Sequence, residues 1–179
     1  MQSLFFTAIL PPKNIYDEIV EFKQYAADHF ETKKALTSPP HITIQPPFKR
    51  NIHDVLPVQK VLKEITIQTQ PFEIALQHFQ AFPPRVIYVD VNKTLPLFDF
   101  HVMAQQTMKT HFHLEDRYKG DFKPHITVAY RDLNASVFPK AWKYFSKIHY
   151  KKTFQATHLT LFKHNGKIWE VFENYPFEG

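Results

Sequence analysis

The sequence indicates an α+β protein of two similar lobes, related by approximate two-fold symmetry about a central cleft. Strand-like and helix-like patterns alternate along the chain, and their order begins again near its middle. Two nearly identical strings, at residues 40–44 and 124–128, occupy equivalent places in the two halves. We therefore expect one bilobed domain over residues 1–179, with lobes near 1–80 and 85–179 and with an exchange of strands between them left open.

The first half has the order strand, helix, strand, helix, strand. Residues 4–9 form an apolar run that two prolines end, which predicts a buried strand. Apolar residues spaced by three and four predict amphipathic helices over 15–30 and 55–65. The β-rich segments 41–44 and 72–79 predict the other two strands.

The second half repeats this order and then adds a closing pair of strands. Strand patterns occupy 85–91 and 125–130, and helical stripes occupy 97–112 and 138–148. The chain ends with two further strand patterns, 153–162 and 168–172, which flank the turn-like sequence His-Asn-Gly-Lys. The repeat is therefore a strand–helix–strand–helix–strand unit present twice.

Composition excludes several classes of function. The 179 residues include no cysteine, which excludes disulfides, cysteine-based zinc sites and cysteine nucleophiles. The three glycines are far apart, so no glycine-rich phosphate loop is present. The net charge of +5 is compatible with an anionic ligand such as a nucleotide or RNA. No acidic cluster or His-Glu-x-x-His string accompanies the eleven histidines, so we predict no metal site.

No apolar run is long enough to span a membrane, and the N-terminal apolar segment lacks the basic flank of a signal peptide. From the sequence we therefore expect a cytoplasmic protein with no membrane partner, and a monomer.

The candidate chemistry lies in the two strings Pro-His-Ile-Thr-Ile and Pro-His-Ile-Thr-Val. Because side chains alternate between the faces of a strand, His41 shares a face with Thr43, and His125 with Thr127. The aliphatic residues between them point into the core of each lobe. If a two-fold axis relates the lobes, both pairs face the same cleft.

Two histidines across a cleft form a general acid and a general base, since imidazole titrates near neutrality. Each threonine hydroxyl can donate a hydrogen bond to a phosphoryl oxygen and stabilise the charge that develops there. Such a symmetric pair suits in-line displacement at phosphorus without a metal or other cofactor. The sequence does not say which histidine is the base.

A third string, His158-Leu-Thr160-Leu, also matches this pattern. No proline precedes it, and the equivalent place in the first half holds Leu76. We therefore interpret His158 as a strand histidine at the margin of the cleft.

The paired strings, the repeated halves and the chain length resemble the 2H phosphoesterase superfamily, which includes 2′-5′ RNA ligase-like proteins and cyclic nucleotide phosphodiesterases. The resemblance covers nearly the whole chain and implies two lobes with antiparallel sheets flanked by helices. It implies that His41 and His125 are the acid–base pair and that Thr43 and Thr127 hold phosphate. The implied substrate is a cyclic phosphate or phosphodiester of a nucleotide or RNA end, with ligation as a related activity.

One departure from this family concerns an arginine that many RNA ligase-type members carry five residues after the second motif histidine. This chain has Tyr130 at that place and Arg131 one residue later. On a regular strand this step turns the side chain to the opposite face. The alternative is therefore a non-catalytic RNA- or nucleotide-binding module of the same fold. A third hypothesis is that the duplication serves only structure and the cleft binds a protein partner.

Further candidates for substrate binding lie beside the motifs. Lys123 precedes the second string, and Tyr130 and Arg131 follow it. Tyr88, in the middle of a strand, and Phe48, after the first string, have rings that can stack on a base.

Overall fold

The computed structural model describes residues 2–114 and 121–179. Within these ranges the chain forms eight strands and four α-helices, joined in places by short 3-10 turns. In chain order they are β1 (Gln2–Ile9), α1 (Lys13–Phe30), β2 (Ile42–Asn51), α2 (Leu56–Ile67), β3 (Phe72–Phe82), β4 (Val86–Val91), α3 (Leu95–Phe112), β5 (His125–Ala129), α4 (Phe138–Phe145), β6 (Lys151–Ala156), β7 (His158–His164) and β8 (Trp169–Pro176).

The strands form two four-stranded sheets in which all neighbours are antiparallel. The first sheet has the order β2-β1-β7-β8, and the second has the order β5-β4-β3-β6. In each sheet one edge strand carries a Pro-His-Ile-Thr string at its beginning. The predicted α+β class with two similar lobes is therefore confirmed.

The sheets do not follow the division of the chain into 1–80 and 85–179. Strand β3 pairs with β4 through a short turn, so it joins the second sheet. The C-terminal hairpin of β7 and β8 then completes the first sheet, because β7 pairs with the open side of β1. Hairpin formation between near neighbours explains this exchange, since closing a short turn needs little chain entropy.

The single strand expected over 153–162 is wrong. The chain forms β6 up to Ala156 and β7 from His158, and the two strands belong to different sheets. Ala156 lies opposite Phe72 in the second sheet, and Thr160 lies opposite Ala8 in the first. The apolar pattern continues through the break, so it does not reveal the change of sheet at Thr157.

Strand β2 extends well beyond the predicted 41–44, to Asn51. It runs through Pro46 and Pro47, which have no paired residue in β1 because the register shifts between Thr7 and Phe5. Such an irregularity on an edge strand tolerates proline. The first string thus lies at the start of a ten-residue edge strand.

The helices tie the two sheets together. Helix α1 contacts β5, and its Phe22 ring lies 5.0 Å from that of Phe79 in β3. Helix α3, from the second half of the chain, contacts β2 of the first sheet. One cluster of buried apolar residues includes members from both sheets and all four helices.

Alternation along the two motif strands sets the position of the candidate site. Ile42 and Ile44 are fully buried in the core, and Ile126 and Val128 are buried in the same way. The histidine and threonine of each string therefore lie on the opposite face, where all four side chains are partly exposed.

Candidate active site

The two strings meet because the edge strands β2 and β5, one from each sheet, are in contact. His41 directly precedes β2, and His125 is the first residue of β5. The positive charge of His125 is one of the causes that lower the pKa of His41, so the two imidazoles are close enough to interact. The structure therefore brings together the two histidines that the sequence analysis singled out.

Both imidazole rings are held by the same hydrogen bond. Nδ1 of His41 lies 2.6 Å from the carbonyl oxygen of Pro39, and Nδ1 of His125 lies 2.7 Å from that of Lys123. A carbonyl oxygen can only accept, so Nδ1 of each ring carries the proton. Nε2 is then the nitrogen that each neutral ring offers as a base, or that each charged ring offers as an acid.

Each threonine lies two residues after its histidine on the same face. Thr43 is opposite Ala8, and Thr127 is opposite Tyr88. Within residues 2–114 and 121–179 neither hydroxyl makes a hydrogen bond to another protein group. Both hydroxyls are therefore available as donors to a ligand.

Aromatic side chains pack against both imidazoles. The His41 ring centroid lies 4.8 Å from that of Phe6 and 6.2 Å from that of Phe162. The His125 ring centroid lies 5.0 Å from that of Tyr88 and 5.4 Å from that of Phe82. These contacts orient the rings and remove water from one side of each, which disfavours the charged imidazolium.

The pKa of His41 is strongly lowered. Burial lowers it to about 4, and the positive charges of Lys23 and His125 act in the same direction, while the Pro39 carbonyl opposes them. Lys23 is 2% exposed, and its Nζ donates to the carbonyl oxygens of Ala35 and Ser38 at 3.0 and 2.9 Å. A buried ammonium, whose own pKa burial lowers to about 7, thus lies near His41.

The surroundings of His125 differ in charge. Burial lowers the pKa of His125 too, but the Lys123 carbonyl and the Asp90 carboxylate both raise it. Asp90 lies directly opposite His125 on the neighbouring strand β4. The two imidazoles therefore have equivalent hydrogen bonds but opposite charges beside them, a lysine near His41 and an aspartate near His125.

A cavity of about 420 Å³ opens from the site toward α3. Thr43 and His125 line it together with His101, Gln105 and Gln106 of α3. A volume of this size is within the range of small-molecule sites.

Lys123 and Tyr88 both lie beside His125, although in different ways. Lys123 is exposed, lines the cavity, and has its Nζ 6.0 Å from the Phe82 ring centroid. Tyr88 is 7% exposed, so its ring supports His125 and presents little surface on which a base could stack.

Phe48 does not reach the cleft. It is 4% exposed, and its ring packs on Phe5 at 6.2 Å in the main core. It lies opposite Phe5 of β1, which is fully buried, so its side chain is on the core face of the sheet. Its proposed stacking on a base is therefore wrong.

Tyr130 and Arg131 lie after the end of β5 and do not line the described cavity. Arg131 has a φ of 59°, and its guanidinium carbon lies 4.8 Å from the Tyr130 ring centroid. The strand ends before either residue, so the expected turn of Arg131 to the opposite strand face does not apply.

The third string differs from the other two in its threonine. Thr160 is fully buried, and its hydroxyl donates to Asn174 Oδ1 at 2.7 Å. It lies opposite Ala8, which is also opposite Thr43, so it occupies the same sheet face two strands away. Its hydroxyl is already engaged, so His158 and Thr160 do not form a third free pair.

The sequence analysis missed Lys23, Asp90 and the cavity side of α3. Lys23 follows Ile15 and Ile19 at a spacing of four, which places it on the apolar stripe of α1. Its burial could therefore have been predicted from the sequence. Asp90 is two residues from Tyr88 and thus on its strand face, but its closeness to His125 depends on strand pairing.

Across residues 2–114 and 121–179, we find no group of three or more histidine and acidic side chains placed to bind a metal ion. None of the helices in the described part of the chain has the length and apolar character to cross a membrane.

Comparison with known proteins identifies the family. A model of the 2′-5′ RNA ligase superfamily matches residues 11–168. Putative phosphoesterase GK0864 of Geobacillus kaustophilus is 29% identical over 175 residues, which are 96% of this chain and 94% of that protein. Putative phosphoesterase SSP1770 of Staphylococcus saprophyticus is 27% identical over 181 residues, and the match covers 94% of this chain and 95% of that protein.

Solved structures show the same fold. TT0787 of Thermus thermophilus superposes with a TM-score of 0.71 at 17% identity, over 98% of each chain. E. coli LigT in complex with 3′-AMP superposes with a TM-score of 0.68 at 15% identity, over 100% of each chain. The two-lobed arrangement is therefore shared along the full length of these proteins.

Proposed function

The chain belongs to the 2′-5′ RNA ligase superfamily, and from this premise we propose that it is a metal-independent 2H-type phosphodiesterase. Its substrate is a cyclic phosphate or phosphodiester of a nucleotide or RNA end. The observation that carries this proposal is the pair of imidazoles that bond through Nδ1 to backbone carbonyls and thus keep Nε2 for the substrate. Relatives named as phosphoesterases and a LigT structure with 3′-AMP support the same class of substrate.

The reaction is an in-line displacement at phosphorus. A water oxygen, or in the ligation-like reverse direction a ribose hydroxyl, forms a bond to phosphorus while the bond to the leaving oxygen breaks. The neutral imidazole accepts the proton of the attacking oxygen at Nε2. The charged imidazole donates the proton of its Nε2 to the leaving oxygen, so charge balances across the step.

The charges beside the two rings favour one assignment of roles. His41, with its low pKa and the nearby Lys23, is neutral at pH 7 and is the general base. His125, beside Asp90, is the more readily protonated ring and is the general acid. An anionic phosphate between them raises the pKa of both, and this helps His125 to hold its proton.

The threonines and Lys123 act on the phosphoryl group. Thr43 and Thr127 donate hydrogen bonds to its non-bridging oxygens, whose charge grows in the transition state. Lys123, which is exposed and lines the cavity, adds a positive charge there. Tyr130 and Arg131, which lie beyond β5, are not part of this proposal.

The direct experiment measures hydrolysis of 2′,3′-cyclic nucleotides, short RNAs with cyclic-phosphate ends and 2′-5′-linked oligomers, in the presence of a chelator. We expect turnover by the wild type, and a loss of about 10²–10⁴-fold in rate for His41→Ala and for His125→Ala. His158→Ala is the matched control, because His158 belongs to a His-x-Thr string whose threonine is engaged, and it should keep wild-type activity. Full activity in the His41→Ala/His125→Ala double variant would refute the proposal.

The second candidate function is nucleotide binding without turnover, favoured by the position of Arg131 outside the cavity. Binding of a cyclic nucleotide with no product at any pH would establish it in place of catalysis.

We also propose that the protein acts as a cytoplasmic monomer. Light scattering with size-exclusion chromatography at micromolar concentration is expected to give a mass near 21.3 kDa.

A further inference from the structure

We propose that Lys23 of α1 is a positioning residue for His41. Its ammonium holds the chain at Ala35 and Ser38. The carbonyl of the next residue, Pro39, then fixes the direction of the His41 ring. This inference rests on the proposed function, because it concerns how that same site keeps one of its two imidazoles in place.

Stability alone does not account for a lysine at this place. Lys23 lies on the apolar stripe of α1, four residues after Ile19, and is 2% exposed. Among the residues that the structure describes, no carboxylate forms an ion pair with it. Burial of an ammonium without a paired charge is unfavourable, and an apolar side chain would continue the stripe without this cost. The ammonium therefore indicates a role beyond packing.

The hydrogen bonds of Lys23 fall on a stretch that is poor in backbone donors. Nζ donates to the carbonyl oxygens of Ala35 and Ser38 at 3.0 and 2.9 Å. Two prolines follow, and a proline has no N–H group to donate. The two residues before His41 therefore cannot be tied down by donation from their own backbone, and the ammonium of α1 fixes the chain just before them.

This stretch determines where the His41 imidazole points. The carbonyl oxygen of Pro39, the residue after Ser38, accepts from Nδ1 of His41 at 2.6 Å. Because peptide units are rigid planes, a shift of the Ser38 carbonyl moves the Pro39 carbonyl with it. Nε2 then moves relative to phosphorus, and a misplacement of about 1 Å can cost about 10²-fold in rate.

The second half of the chain has a neutral residue at the equivalent place. Helices α1 and α3 have 18 residues each, and their eleventh residues are Lys23 and Gln105. The side chain of Gln105 donates to the carbonyl oxygen of Ile44 in β2. We therefore assign the support by a buried cation to His41 and not to His125.

The charge of Lys23 acts on the same ring. The charged or titratable groups that lower the pKa of His41 are Lys23 of α1 and His125 of β5. The rings that pack on it from β1 and β7, Phe6 and Phe162, carry no charge. Burial lowers the pKa of Lys23 to about 7 and that of His41 to about 4, so Lys23 is charged where His41 titrates. Loss of the ammonium therefore raises the pKa of His41.

The first test replaces Lys23 by methionine, which has a similar length but neither a charge nor a donor. We expect Lys23→Met to lower kcat for adenosine 2′,3′-cyclic phosphate about tenfold or more and to leave KM nearly unchanged. The acid limb of the kcat/KM profile should move to higher pH, while the alkaline limb, which reports His125, stays in place. Lys13→Met is the matched control, because Lys13 is exposed at the start of the same helix, and it should keep wild-type kinetics. An unchanged kcat and acid limb in Lys23→Met would overturn the proposal.

Chemical rescue separates the ammonium from the packing of the side chain. The sequence has no cysteine, so Lys23→Cys introduces a single thiol. This thiol is alkylated in the unfolded chain with 2-bromoethylamine or with 1-bromopropane, and the protein is then refolded. Both products have the length of lysine, but the first ends in an ammonium and the second in a methyl group.

The ammonium form should recover most of the kcat of wild type carried through the same steps. The propyl form should remain about tenfold or more below it. Equal kcat values for the two forms would show that the ammonium does not position His41.

NMR of the ¹⁵N-labelled imidazoles tests the positioning without turnover. In the wild type, neutral His41 should carry its proton on Nδ1 alone, whereas in Lys23→Met the tautomer with the proton on Nε2 should appear as well. Unchanged signals of His125 show that the variant is folded. If the wild type hydrolysed none of the substrates, the proposed function would be refuted, and the His41 tautomers would still decide this inference. A His41 ring that keeps its tautomer and its pKa in Lys23→Met would contradict it.

Discussion

His41 and His125 share one hydrogen-bonding pattern but have different charges beside them. Both rings donate Nδ1–H to the carbonyl of the residue two positions earlier, and both pack against two aromatic rings. The two imidazoles differ in the charged residue beside each: buried Lys23 lies near His41, and Asp90 lies near His125. In the proposed mechanism this difference in charge makes His41 the base and His125 the acid.

Replacement of Asp90 tests this asymmetry. The carboxylate raises the pKa of His125, so Asp90→Asn lowers that pKa, and the acid then loses its proton at a lower pH. We expect the alkaline limb of the kcat/KM profile to move to lower pH, while the acid limb, which reports His41, stays in place. Asp99→Asn on the exposed side of α3 is the control. A shift of the acid limb alone, or of neither limb, would contradict the assigned roles.

The motif side chains were predictable because they depend on local geometry alone. Strand alternation places His41 with Thr43 and Ile42 opposite them, whatever the neighbours of the strand. The prediction for Phe48 was wrong because it depended on the true length of β2, and the two prolines suggested that this strand ends before them. Tyr88 was correctly placed in the middle of a strand, but its pairing with Thr127 and its degree of burial depend on other strands.

Strands and helices present these side chains through contacts that join the two sheets. The segment before His41 is held by Lys23 of α1 and by Asp132, which follows β5. Asp132 Oδ1 accepts from the buried Thr32 hydroxyl at 2.8 Å, and Oδ2 accepts from the backbone N–H groups of Lys33 and Lys34 at 2.8 and 2.9 Å. The segment that follows β5, the strand of His125, is therefore bonded to the segment that leads to His41.

Removal of this carboxylate should lower both stability and activity. Asp132→Ala leaves the buried Thr32 hydroxyl without its partner, and we expect the free energy of unfolding to fall by about 1–3 kcal/mol. Urea unfolding measures the change, with Asp99→Ala as the control. If Asp132→Ala left both the free energy of unfolding and the turnover unchanged, the hydrogen bonds between Asp132 and residues 32–34 would not be needed for either.

The same variant has a predictable dependence on pH. Partial burial raises the pKa of Asp132, but the bonds from Thr32 and the two backbone N–H groups outweigh it and hold the pKa below its usual value. The stabilisation from the Asp132 carboxylate is therefore fully present above its pKa in the unfolded chain, about 3.9. It is lost as the pH falls through its lower pKa in the folded protein. The stability difference between wild type and Asp132→Ala should shrink over that range.

Across the whole molecule, the repeat in the sequence and the two sheets do not coincide. The order of elements was predictable from periodicity, but the pairing of β7 with β1 joins residues far apart in sequence, and no local pattern encodes it. For the same reason the break at Thr157 and the cavity beside α3 appear only in the folded chain. The shared core and the contact of each motif strand with a helix from the other half bring both histidines to one place.

That convergence is tested most directly by ¹⁵N NMR of the histidine side chains during titration with inorganic phosphate. The spectra of His41→Gln and His125→Gln assign the two rings. We predict that both rings keep the proton on Nδ1 and that both Nε2 signals shift with the same apparent dissociation constant, because one phosphate lies between them. A shift of only one Nε2, or two different dissociation constants, would contradict a single phosphate site formed by both halves of the chain.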